Sequence, residues 1–460
     1  MREFENQLLK RASRWRAGPL FGATALLLSS VVSLHAQESP RQQHTGDLAS
    51  FVAEANAVRD RFKAMGIEYG FVYTSEVLGN VSGGLRRGAI YDGKLDTTFQ
   101  ADLGKLAGWE GLTFYANVFQ LHGTGRLKAE YTGAINTNSN IEALQTTRLS
   151  ELWLEQKFAG GAASLRFGQL AADQEFFFSD YGNFFVNSDW PTIAAENLPS
   201  GGPAYPLSTP GVRLKIQPSK DVAWLLAVFN GDPAGPGPGD PQRRNRYGLN
   251  FRVQDPPLIV SEVQISRNQE KTSPALASAL KFGIWGHVGH FDDQRFDTNG
   301  VSLASPSSTG SPFRHRGNYG IYGIVDQQLY RPAGGDASSG LVVFTRISAS
   351  PSDRNLVDFY VESGTIVSGL VPGRPDDKLG ASVIYSHISD VTRALAADEA
   401  RLSGTESLWH SYEATLEVSY QAQLREGWVL QPMFQYVWHP AAVPGTPNAT
   451  VVGIRSVITY

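Results

Sequence analysis

From Ile67 to the closing Tyr460 the apolar residues of this chain recur mainly at every second position, and that period limits what the chain can build. Ile67, Tyr69, Phe71 and Tyr73 alternate with Glu68, Gly70, Val72 and Thr74. Tyr91, Leu95, Thr97, Phe99, Ala101 and Leu103 alternate with Asp92, Lys94, Asp96, Thr98, Gln100 and Asp102, so the second face carries four charges in six positions. Successive side chains on a strand point to opposite faces, and each such segment therefore has one apolar and one polar side. In a soluble sandwich the charged side meets solvent. In a barrel set in lipid it lines a pore, with Asp92 and Asp96 among the lining groups. The last ten residues repeat the pattern: Val452, Ile454, Ser456, Ile458 and Tyr460 oppose Val451, Gly453, Arg455, Val457 and Thr459. An aromatic at the interface and an arginine on the other face suit a barrel wall.

The same alternation predicts strands from Ile67, at 91–103, 111–122, 147–158, 163–170, 211–217, 222–229, 246–253, 258–266 and 279–288. Further strands are predicted at 318–329, 340–348, 356–364, 379–387, 411–421, 428–438 and 450–460. That makes seventeen, whereas single-chain bacterial barrels have even numbers. Tracing inward from both termini places the conflict at 253–290. Connections alternate between short ones, such as 159–161, 218–221 and 424–427, and long ones at 123–146, 171–210, 230–245, 289–317 and 388–410. Tight turns at one end and long loops at the other are expected of an outer-membrane barrel. A sandwich distributes its loops more evenly.

No segment beyond residue 36 is apolar for the ~20 residues a spanning helix needs; the longest apolar run is Val222–Phe229. A membrane protein without such a run must be a closed barrel, because lipid leaves open sheet edges unsatisfied. Residues 1–36 read as an export signal: Lys10, Arg11, Arg14 and Arg16 precede an apolar run from Leu20 to Leu34. Asp47 to Met65 reads as an amphipathic helix, with Leu48, Phe51, Val52, Ala55, Val58, Phe62 and Met65 on one stripe. The chain has no cysteine, so neither disulfides nor thiolate metal sites hold it. A net charge of −4 argues against nucleic acid as a partner.

Several stretches resemble the carbohydrate-selective porins of the OprB type, from the outer membrane of Gram-negative bacteria. They include Gly79–Gly84, Arg148–Lys157, Gly168–Phe176, Ala204–Arg213, Val228–Pro233, Gly373–Asp377 and Leu430–Tyr436. Their order and spread cover roughly 67–460. The resemblance implies a barrel of about sixteen strands that passes sugars by diffusion. Two departures stand out. Only Arg59–Ile67 loosely matches the family's entry segment, and the chain ends in Tyr460 where the family typically ends in Phe.

The expected architecture is thus all-β: a transmembrane antiparallel barrel of about sixteen strands with a short N-terminal helix after a cleaved signal peptide. Residues 1–36 would be the signal, 37–66 a periplasmic segment and 67–460 the porin domain. A sugar pore needs polar groups for hydroxyls and flat groups for C–H faces. Strand 147–158 offers both: with Leu152, Leu154 and Phe158 toward lipid, Glu151, Trp153, Glu155 and Lys157 face the lumen, and Arg166 on the next strand joins them. Trp153 is the expected stacking surface for sugar. The alternative is that these charges line a wide wet channel and contact nothing specific. The loop Ala171–Pro210 is dense in Phe176-Phe-Phe178, Tyr181, Phe184-Phe185, Trp190 and Tyr205, and either folds into the lumen or packs within itself.

Enzyme motifs are lacking: neither Gly-x-Ser-x-Gly nor His-Glu-x-x-His occurs, and His287 and His290 fall on opposite strand faces. Gly79–Gly84 lacks the Lys-Ser/Thr ending of a phosphate loop. No catalytic residue, metal site or cofactor is expected. The expected partners are small sugars, outer-membrane lipid and lipopolysaccharide, whose phosphates Arg243, Arg244 and Arg246 could meet, and further copies of the chain. Rival readings are an outer-membrane barrel enzyme and a soluble exported sugar-binding β protein.

Overall fold

The computed structural model describes residue 54 and residues 56–460 apart from 188–189 and 406–407. The chain divides into two compact units at Val58/Arg59. Of the first, residues 54 and 56–58 are described, and they are helical. The expected signal and the first part of the 47–65 helix lie outside the described residues. The second unit carries the rest of that helix, up to Met65, and the barrel.

The first eight strands are β1 Ile67–Ser82, β2 Gly88–Asp102, β3 Leu112–Gly123, β4 Thr146–Phe158, β5 Ala163–Leu170, β6 Thr209–Ser219, β7 Val222–Asn230 and β8 Pro257–Arg267. The next eight are β9 Ser278–Asp297, β10 Pro312–Tyr330, β11 Leu341–Ala349, β12 Val357–Ser368, β13 Lys378–Ile388, β14 Tyr412–Arg425, β15 Trp428–Trp438 and β16 Ala449–Thr459. Each pairs antiparallel with its sequence neighbours, and β16 returns to β1 in register from Val72↔Thr459 to Ser82↔Thr450. Tyr460 continues the seam: its N–H donates to the Phe71 carbonyl at 2.9 Å, and the Phe71 N–H returns to the Tyr460 carbonyl at 3.2 Å. Closure leaves no edge strand, as lipid demands.

The period-two pattern becomes a barrel turned inside out relative to a soluble fold. Outward-facing Phe282 and Ile284 are 56% and 50% exposed, whereas inward-facing Glu262, Glu362, Glu413 and Glu417 are 0% exposed. Such burial suits lipid outside and a polar interior. Stacked or edge-packed rings such as Phe71–Tyr460 and Phe99–Phe114 form part of an aromatic girdle at the end carrying the C-terminus and the short turns. Phe62 of the N-terminal helix meets Tyr69 edge-on at 6.0 Å, and the Arg59 guanidinium lies 5.9 Å from the Tyr460 ring.

The surplus strand is 246–253, just before the 253–290 stretch where the conflict was expected; the strands expected at 258–266 and 279–288 are both present. β7 and β8 pair directly, from Val222↔Ile265 to Asn230↔Pro257, so the wall has no gap between them to fill. The segment drapes over the end of β4 instead, where the Tyr247 carbonyl accepts the Leu149 N–H at 3.0 Å. Gly248 makes that approach possible: it sits at φ +68, and a Cβ there would come 1.9 Å from the Leu149 carbonyl oxygen. Tyr-Gly-Leu-Asn-Phe-Arg-Val alternates like a strand but has no neighbour to pair with. The even count follows.

Candidate functional site: the channel constriction

Two long loops leave the open end of the wall and fold into the barrel, 124–145 after β3 and 171–208 after β5. A loop inside a barrel carries backbone N–H groups that need acceptors. Inward carboxylates of the wall supply them. Glu262 on β8 accepts the Phe177 N–H at 3.2 Å, and Asp326 on β10 accepts the Asp180 N–H at 2.9 Å. Glu417 on β14 accepts Val186 at 2.8 Å and Asn187 at 2.9 Å, while Glu413 accepts Ile135 at 2.8 Å and Asn136 at 2.6 Å. Cations hold the loop's carbonyls: Lys281 Nζ donates to Phe178 at 2.7 Å and Arg346 to Phe177 at 2.9 Å. Phe177, gripped at both its N–H and its carbonyl, holds the unusual φ of +59.

The loop's aromatics therefore pack against the wall rather than only against one another. Phe177 stacks on Tyr322 at 3.7 Å between ring centroids, Phe176 meets Phe229, and Phe185 meets Phe344. This explains the apolar run at 222–229. Trp224 and Val228 face lipid, while Ala223, Leu225, Ala227 and Phe229 face inward onto the buried loop cluster and not onto water. Of the two readings of this loop, the structure shows the one that narrows the lumen.

The loop packs on the wall from Phe229 of β7 round to β15, where Gln431 donates to the Phe184 carbonyl at 2.9 Å, and Asp96 and Arg166, which keep some exposure, lie on β2 and β5. There Tyr115 of β3 stacks on Trp153 of β4, with centroids 4.6 Å apart and planes 18° apart. The Arg166 guanidinium of β5 lies 3.9 Å from the Trp153 ring. Arg166 pairs with Glu155 at 2.8 Å and with Glu175 of the inserted loop at 3.5 Å. Arg213 of β6 bridges the same two carboxylates, 3.3 Å from Glu155 and 2.7 Å from Glu175. The result is a stacked ladder of two rings and one guanidinium, closed by two carboxylates and a second guanidinium.

Of the residues expected to line the path, the structure brings Trp153, Glu155 and Arg166 together. Asp96 lies on the same wall, accepting from Asn117 Nδ2 at 2.5 Å and sitting 3.6 Å from the Lys94 ammonium. Glu151 is an anchor: its carboxylate accepts the Ala171 N–H at 3.1 Å, at the root of the inserted loop. Lys157 is exposed near the turn end of β4, away from the ladder. Asp92 is buried toward the loop end of β2, and its Oδ2 has no hydrogen-bond partner among the described residues. Tyr115, Arg213 and Glu175 were missed in the sequence, although Arg213 closes the matching stretch 204–213 and Glu175 lies within 168–176.

The chain is 24% identical to Porin B of Pseudomonas aeruginosa over 98% of its own length and 99% of that protein. It is 20% identical to the putative porin QuiX of Acinetobacter baylyi, over 87% of this chain and 91% of the relative. In fold it resembles the solved high-pH structure of Pseudomonas putida OprB, with a TM-score of 0.77 at 22% identity, over 88% of this chain and 97% of that one. The family model described as carbohydrate-selective porin, OprB family, matches residues 86–460. The chain belongs to that family, as a sugar porin of the Gram-negative outer membrane.

Proposed function

We propose that small sugars cross by passive diffusion along the wall from β2 to β6, without catalysis or cofactor, past Asp96, Trp153, Glu155 and Arg166. The observation that carries this is the difference in exposure around the lumen. Side chains of Asp96 and Arg166 on this wall are 24% and 16% exposed, and that of Glu175 on the adjoining loop 22%, whereas those of Glu262, Glu362, Glu413 and Glu417 on other strands are sealed. Carboxylate and guanidinium groups alternating along one wall match the hydroxyls of a neutral sugar better than they match a single ion. Lys157 would then stand at the exit, and Glu151 and Asp92 would shape the wall rather than touch the sugar.

In the same reading residues 1–36 are removed on export, 37–66 stay periplasmic and 67–460 form the channel. Lipopolysaccharide contact at the outer loops and association of several barrels belong to this proposal as well. Liposomes containing the protein test the central point. Swelling should be fast in monosaccharides and slower in trisaccharides, with Arg166→Ala altering the sugar series. A protein that folds but swells in no sugar rejects the reading.

A further inference from the structure

Above the constriction, three outer loops (124–145, 171–208 and 231–256) enclose a cavity of about 240 Å³. That is below the ~300–1,000 Å³ of sites for drug-sized ligands and suits a single ring. Its walls carry two flat groups. Trp190 is half-buried and held by its indole N–H, which donates to the Gly201 carbonyl at 2.9 Å. Tyr205 is held by its hydroxyl, which donates to the Ile141 carbonyl at 2.7 Å.

Polar groups converge between them. Lys128 Nζ sits 3.0 Å from Glu196, and the Lys128 N–H donates to Glu142 at 3.0 Å. Asp173, 5% exposed, also lines the cavity; one of its oxygens accepts the Tyr205 N–H at 2.7 Å, and Oδ1 has no hydrogen-bond partner among the described residues. A buried acceptor without a partner calls for a donor from a ligand or an ordered water. Lys128 is already matched by Glu196, so the lining carries an acidic surplus that disfavours anions. Planar rings, hydroxyl acceptors and volume for one ring together describe a neutral hexose.

We infer that this cavity is a docking site at the outer mouth that holds one neutral hexose before it enters the constriction. Tyr205 joins the two sites: the Lys94 ammonium lies 5.1 Å from its ring and 3.6 Å from Asp96 on the conducting wall. The inference rests on the porin reading and adds saturable capture to it. Capture on the loop side raises the local sugar concentration above the narrowest point, which matters most when sugar is scarce.

The test is a glucose titration of single-channel ion current in planar bilayers, with glucose added to either side. In the native protein, glucose on the loop side should reduce the current saturably, and at lower concentration than on the turn side. Ala195 lines the cavity, and Ala195→Leu fills it; Glu196→Gln removes a charged acceptor. Each should raise the half-saturating glucose about tenfold or more, with salt conductance recorded alongside as the measure of the constriction. If Ala195→Leu gives no folded band on unboiled gels, Glu196→Gln decides alone. Unchanged half-saturation in the folded variants, or no saturable effect in native channels that still swell liposomes in glucose, overturns the docking site and leaves the porin standing. Native liposomes that swell in no sugar reject the porin reading itself.

Discussion

Glu417 and Val186 lie 231 residues apart in the chain, yet the Glu417 carboxylate accepts the Val186 amide proton at 2.8 Å inside the barrel. Its other oxygen takes the next amide, that of Asn187, at 2.9 Å. Two hydrogen bonds to one buried carboxyl group, each worth ~0.5–3 kcal/mol, pin the inserted loop near the middle of its 171–208 span. Glu417→Ala should leave the barrel assembled, because the ladder bonds of β14 are backbone bonds, and release this stretch of loop. Salt conductance should rise and become noisier. Conductance identical to the native protein would show that the other tethers suffice.

Trp153 is covered on both faces, by Tyr115 at 4.6 Å and by the Arg166 guanidinium at 3.9 Å. A sugar could stack on it only by displacing one of them. Trp153→Ala is therefore expected to raise salt conductance and sugar flux together, since the indole acts as a support for Arg166. A fall in sugar flux at low concentration with a rise in salt conductance would restore the direct stacking role.

Leu95 and Asp96 are adjacent on β2 and face opposite media. Asp96 bonds to Asn117 within the barrel, while Leu95 sits on the outer face. Leu95→Arg places a charge against lipid at a cost of roughly 2–4 kcal/mol near the midplane. It should reduce the folded, heat-modifiable fraction on gels. Asp96→Arg should assemble and shift the reversal potential in a salt gradient toward anions. Equal assembly and equal selectivity of the two variants would reverse the facing assignment.

Burial lifts Glu142 to about 7 and Asp173 to about 6, from ordinary values of 4.5 and 3.8. A carboxyl with a raised folded pKa binds its proton more tightly in the folded state. Its stabilising contribution is full below the ordinary value and is lost as pH rises through the folded one. The outer-loop cluster should thus resist protease better at pH 5 than at pH 8, with the change falling between about 4 and 7. Glu142→Gln, which mimics the neutral acid, should flatten that dependence. A profile that steepens or reverses would contradict it.

Alternation alone was enough to read the strands, because the side-chain period of a strand is a local property. The facing of Trp153, Glu155 and Arg166, the outward Leu152 and Leu154, and the split between tight turns and long loops all followed from it. Segment 246–253 misled for the same reason. Its alternation is as good as a strand's, and whether it pairs depends on β7 and β8 having already met.

The tertiary structure alone decided which wall the inserted loop lies against. Glu262, Asp326, Glu413 and Glu417 point inward from their strands, yet they accept backbone N–H groups of loops 85 to 277 residues away. Glu151 and Glu155 are four apart on one strand face, and one anchors the loop root while the other joins the arginine ladder. Nothing local distinguishes them. The sequence determines that a side chain points inward; what it meets there depends on loop backbone whose unpaired N–H groups must find an acceptor somewhere on the wall.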